Sequence, residues 1–228
     1  MKPSAIALSL TLLSSGSVWA TSDVCGDDAM IVFDGSGSMA EMGHNHIDEP
    51  RIFDARRAMQ EVIPEIASER KLGLVIYGPG GADSCSGVDV RFAPIENAAP
   101  RILNDVNAVE PEGETPLTEA VKRAAELLQE DGDGGVVVLV TDGKETCEGA
   151  PCQLAAQLAG EGVTLHVIGF KVRGSHFSWD ITKSNDYTDA EAPSRCLADR
   201  TGGVYVRAET LDELKAALRT TLGCNVLM

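Results

Sequence analysis

Ala29-Met30-Ile31-Val32-Phe33-Asp34-Gly35-Ser36-Gly37-Ser38-Met39 joins a short apolar run to a loop of small, oxygen-bearing residues. The run reads as a buried strand. Asp34, Ser36 and Ser38 therefore sit where a strand ends and a loop begins, which is where ligands bind in open α/β sheets. The intervening glycines let the backbone turn sharply and crowd three oxygen side chains together. Those oxygens are hard donors, suited to Mg²⁺ or Mn²⁺ rather than to a soft metal. Taken alone, the same residues would also make an ordinary polar turn.

Outward from this stretch, apolar runs alternate with amphipathic ones. The pattern predicts strands over 29–34, 71–77, 88–92, 136–140, 164–170 and 204–207. It predicts helices over 51–69, 98–107, 151–160 and 194–201, one entered through Thr115-Pro116 and a last one carrying Leu211, Leu214, Leu218 and Leu222. Pro64 is expected to kink the first helix or end it early, and Thr115 to cap the helix behind it. The run 136–140 is too apolar to be half exposed and is expected to be central. Runs 71–77 and 88–92 are separated by a glycine-rich turn and read as a hairpin, the second strand at the sheet edge. The fold class is thus α/β: a doubly wound, mainly parallel sheet with one antiparallel edge strand and helices on both faces.

The chain has 228 residues and a formal net charge of −16. Lys2 and the apolar run 5–13, followed by Val18-Trp19-Ala20, match an export signal cleaved near Ala20. Residues 1–20 are then a signal peptide and 21–228 a single domain, periplasmic or secreted. Nothing later is long and apolar enough to insert into a membrane. Cleavage removes Lys2 and leaves the chain one unit more negative. Such a surface repels nucleic acid and anionic lipid, and favours solubility.

Three polar points fall at equivalent places: Asp34, Ser36 and Ser38 after the first strand, Thr115 at a helix start, and Asp142 in Thr141-Asp142-Gly143 after the central strand. In residue type, order and spacing they resemble the metal-ion-dependent adhesion site of von Willebrand factor A domains. The resemblance covers about residues 30–222. It implies a doubly wound domain of Rossmann type. Ser36 and Ser38 lack a Gly-x-Ser-x-Gly elbow and no Gly-x-Gly-x-x-Gly follows the first strand, so no enzyme is expected. The resemblance also implies a cation, Mg²⁺ with Mn²⁺ or Ca²⁺ as substitutes. Ser36 and Ser38 would bind it directly, Thr115 directly or through water, and Asp34 and Asp142 through water. A protein partner would complete the site with an Asp or Glu carboxylate. Because the site falls on a strand rim, Asp34→Ala or Thr115→Ala is expected to weaken cation binding without unfolding the domain.

Two other readings stay open: a structural subunit whose metal only stabilises the fold, and a Mg²⁺-dependent phosphohydrolase with Asp34 as nucleophile and Lys144 near the phosphate. His44, His46 and Asp48 are a weaker second metal candidate, with no third ligand at a defined spacing. Phe177, Trp179 and Tyr187 are interface anchors or residues that pin their long loop. Glu112, Glu114, Glu145 and Glu148 are expected to form an acidic rim beside Thr115 and Asp142.

All six cysteines lie after residue 20, an even number in an oxidising compartment. The first strand starts, and the last helix ends, at the rim opposite the site, which suggests Cys25–Cys224. Cys147–Cys152 would close a small loop, and Cys85–Cys196 remains.

Overall fold

Six strands form one sheet, and the four inner ones are apolar on both faces, which only a sheet covered on both sides can bury. The computed structural model describes residues 27–42, 49–129, 134–171 and 192–224. The strands are β1 (Ala29–Asp34), β2 (Leu72–Tyr77), β3 (Val88–Ile95), β4 (Gly135–Thr141), β5 (Val163–Phe170) and β6 (Tyr205–Ala208), in the spatial order β3-β2-β1-β4-β5-β6. All neighbours are parallel except β2 and β3. The edge strand runs three residues beyond the apolar alternation that predicted it. It includes Pro94, which an edge tolerates because no outer neighbour needs its missing N–H.

Successive β1 side chains enter opposite layers. Ile31 and Phe33 pack with Ile52 and Met59 of α1 (Arg51–Ile66), Ile102 of α2 (Ala99–Asn107) and Leu218 of α6 (Leu211–Leu222). Met30 and Val32 pack with Val121 of α3 (Leu117–Gln129), Leu158 of α4 (Pro151–Gly160) and Leu197 of α5 (Ala192–Thr201). Pro64 lies inside α1, which ends two residues later at Ile66.

The cystine framework differs from the expected one in two bridges. Cys85 pairs with Cys147, and Cys152 with Cys196, at Cα–Cα distances of 5.5 and 5.4 Å. Cys147 and Cys152 are near in sequence, but they point apart. Glu148 takes a left-handed φ of 61° and Pro151 starts α4, so Cys152 turns with its helix toward α5 while Cys147 stays in the loop after β4. Cys224 is disulfide-bonded. Cys25, its expected partner, lies outside the described residues.

Candidate metal centre

β1 and β4 are neighbours at the middle of the sheet. The chain leaves one toward β2 and the other toward β5, so a crevice opens at their carboxyl ends. Asp34, the last residue of β1, is fully buried there. Its Oδ1 accepts from the Ser36 N–H at 2.8 Å, which sets the turn. Its Oδ2 accepts from Thr141 Oγ1 at 2.8 Å and from the Asp142 N–H at 3.3 Å, which ties β1 to β4. Behind it, the buried Tyr77 hydroxyl donates to Thr141 Oγ1 at 3.0 Å.

The loop after β1 is held between two others. The Gly37 N–H donates to Gly113 O at 3.0 Å and the Glu112 N–H to Gly35 O at 3.0 Å. On its other side, Gly78 has a φ of +106°, and a Cβ there would lie 2.4 Å from Ser36 N. Only glycine allows that approach.

In this frame Ser36 Oγ lies 3.1 Å from Ser38 Oγ, and Ser38 Oγ donates to Asp142 Oδ1 at 2.6 Å. Thr115 is buried in the loop before α3. It does not cap that helix as its sequence position suggested. The Glu145 carboxylate does so, accepting from the Thr118 N–H at 2.7 Å and, through its other oxygen, from the Cys147 N–H at 2.8 Å. Thr115 is instead locked to Thr146: its N–H donates to Thr146 Oγ1 at 2.8 Å, and the Thr146 N–H donates to Thr115 O at 3.2 Å. Of the four glutamates expected on the rim, Glu112, Glu114 and Glu148 are exposed, and Glu145 is withdrawn into this cap.

Ser36, Ser38, Thr115 and Asp142 line one cavity of about 260 Å³, together with Lys144 and Arg51. Arg51 escaped the sequence reading. It donates to Asp142 Oδ2 at 3.1 Å. Its signal was available, because it lies one helical turn before Ala55 on the stripe that α1 buries. Tyr77 and Thr141 carried no such signal, since their roles depend on strand order. A larger cavity, about 370 Å³, lies at the opposite rim beside Ser68, Arg70 and Asn97. Asp28, Glu69 and Glu96 also line it, beside the cations Arg70 and Lys71, but its carboxylates do not gather as a metal site.

The donor set suits a small hard cation. Bonds of about 2.1 Å in an octahedron separate neighbouring oxygens by about 3 Å, and the two serine hydroxyls are 3.1 Å apart. Among the described residues no three His, Cys, Asp or Glu side chains gather as a metal site, so any ion here depends on hydroxyls. His44, His46 and Asp48 lie outside the described residues, as do Phe177, Trp179 and Tyr187.

Burial and the neighbouring Asp34 carboxylate push Asp142 up to about 7, against the Ser38 hydroxyl and the Arg51 guanidinium, which pull it down. Below that value Asp142 holds a proton that an incoming cation must displace; above it the site is ready. Mn²⁺ affinity is expected to be level above pH 8 and to fall by up to about tenfold per unit below pH 7. Calorimetric titrations at pH 6, 7 and 8 check this. Equal affinity at pH 6 and 8 would separate Asp142 from the ion.

The sequence profile of the von Willebrand factor type A domain matches residues 29–145. The chain belongs to this family. The VWA match spans β1 to the loop after β4, the part that supplies Asp34, Ser36, Ser38, Thr115 and Asp142. YwmC of Bacillus subtilis is 30% identical over 150 residues, covering 61% of this chain and 64% of YwmC. The chain thus spans just under two thirds of that relative's length. The crystal structure of an aerotolerance-related membrane protein from Bacteroides fragilis superposes with a TM-score of 0.59 at 19% identity, covering 86% of this chain and 98% of that one. Proximal thread matrix protein 1 from the mussel byssus, in a structure with a zinc-occupied MIDAS motif, gives 0.58 at 18% identity, covering 88% and 46%. At these identities the two structures establish a shared VWA fold. In this VWA domain no described helix is long and apolar enough to cross a membrane.

Proposed function

We propose that this VWA domain is an exported module that binds a protein partner through a divalent cation, Mg²⁺ with Mn²⁺ or Ca²⁺ as substitutes. One observation carries the reading: oxygens of Ser36 and Ser38 in the loop after β1 meet the Asp142 carboxylate of the loop after β4 beside an open cavity that Thr115 also lines. The zinc-occupied site of the mussel neighbour supports it. The disulfides support an oxidising compartment, as does the leader expected over residues 1–20.

Ser36 and Ser38 would hold the ion directly, and Thr115 directly or through water. Asp34 and Asp142 would sit behind water, orienting the hydroxyls and balancing charge. A bound cation supplies an electrophilic position that neutral hydroxyls leave unquenched, and a partner's Asp or Glu carboxylate can occupy it. Exposed Glu41 and Glu114, which line the cavity, and Glu112 and Glu148 in the adjoining loops would then favour a partner whose acid group is set among neutral or basic residues. Asp34 is fully buried and held by three donors, which leaves the phosphohydrolase reading without an accessible nucleophile.

Affinity capture from the cell envelope tests the proposal. Capture is expected in Mg²⁺, to be lost in chelator, and to be lost by Thr115→Ala with the fold intact. Equal capture in chelator would leave the structural-subunit reading in its place.

A further inference from the structure

Arg51, the first residue of α1, is 1% exposed. Its Nη1 donates to Ser38 O at 2.8 Å, Asp142 Oδ2 at 3.1 Å and Glu41 Oε2 at 3.3 Å. Its Nε and Nη2 are buried without a hydrogen-bond partner. A guanidinium offers five N–H donors, and burying it with two nitrogens unpartnered is unfavourable. A buried group in that condition asks for a reason other than stability.

The charges around it supply one. Asp142 shares its carboxylate between two neighbours: Oδ1 faces Ser38 and Oδ2 faces Arg51. The Glu41 side chain is 45% exposed, so water screens it. Lys144, which also lines the cavity, is exposed as well. Within the buried part of the site, the two aspartates would balance a divalent ion by themselves. Arg51 adds a positive charge on the other side of one carboxylate from the serine hydroxyls, where it repels an ion placed among them.

We propose that Arg51 is a resident counter-cation. It holds Asp142 in position while the site is free and lowers the site's affinity for a divalent ion. The loaded centre then carries surplus positive charge and keeps its ion best with an anionic ligand bound. The inference rests on the metal reading above, and its test separates the two.

The probe is Mn²⁺ alone, titrated calorimetrically into the full chain at pH 8, with urea unfolding of each variant alongside. Arg51→Met removes the charge and keeps only an apolar, unbranched stem. Arg51→Gln removes the charge but keeps a donor for Asp142, and it serves where the methionine variant does not fold. Arg51→Lys keeps the charge. The neutral variants are expected to bind Mn²⁺ about tenfold tighter than wild type, and the lysine variant to stay within about threefold of it. A folded Arg51→Gln with unchanged or weaker Mn²⁺ affinity, beside a wild type that binds, overturns the counter-cation role and leaves the metal reading standing. Absence of Mn²⁺ binding in wild type and variants alike overturns both.

Discussion

Asp34→Ala is expected to lower the unfolding free energy by about 3–4 kcal/mol as well as to abolish cation binding. The residue ends a strand at the rim, and from position alone its loss looked harmless to the fold. The structure corrects that expectation. Asp34 is fully buried, and its carboxylate accepts from the Ser36 N–H, the Asp142 N–H and Thr141 Oγ1. Alanine would leave these donors unpaired in the interior, at about 1–3 kcal/mol for each that water cannot reach. Relief of the repulsion between Asp34 and Asp142 offsets part of the loss. Thr115→Ala should remove cation binding at a cost of less than about 1 kcal/mol, since its backbone bonds to Thr146 remain. Urea unfolding of both variants, with and without Mn²⁺, decides the matter. An Asp34→Ala protein as stable as wild type would mean that the carboxylate does not bind the two central strands together.

The paired change Cys85→Ser with Cys147→Ser is expected to cost about 4 kcal/mol, from the unfolded-chain entropy of a loop with a sequence separation of 62. It should also weaken Mn²⁺ binding several-fold. Ser84 O accepts the Glu114 N–H at 2.9 Å, and Thr146 grips Thr115 on the other side, so the bridge ties together the two loops that hold the threonine. The paired change Cys152→Ser with Cys196→Ser is the control. Its separation is 44, so its stability loss is also about 4 kcal/mol. It joins α4 to α5 and touches none of the loops around Thr115, so cation affinity should hold. Equal Mn²⁺ affinities in both folded double variants would show that the first bridge is only a staple. Peptide mapping without reductant checks the pairing directly.

Much of this was legible in the chain because it was local. A strand buried on both faces is a continuous apolar run, and 29–34 and 136–140 could be read as such. Asp34, Ser36 and Ser38 lie within five residues, so their convergence needed only a turn. The misreadings share a cause, which is that a distant residue took a role assigned to a near one. Glu145 caps α3 from 27 residues away, in place of Thr115. Cys147 and Cys152 are close along the chain, yet the start of α4 sends them to different loops and helices. Arg51 sat on the buried stripe of its helix, but its acceptor lies 91 residues further on.

The bonds that join the two halves of the site all span long stretches of chain. Thr141 to Asp34 spans 107 residues, Ser38 to Asp142 spans 104, and Arg51 to Asp142 spans 91. Contacts of such separation form late, after the loop-closure entropy has been overcome. A chain that has folded β1, β2 and β3 but not yet docked β4 presents an aspartate and two serines with nothing opposite them. Any ligand that needs the whole set therefore recognises only molecules that have finished folding, and by mass action it protects those molecules from opening again.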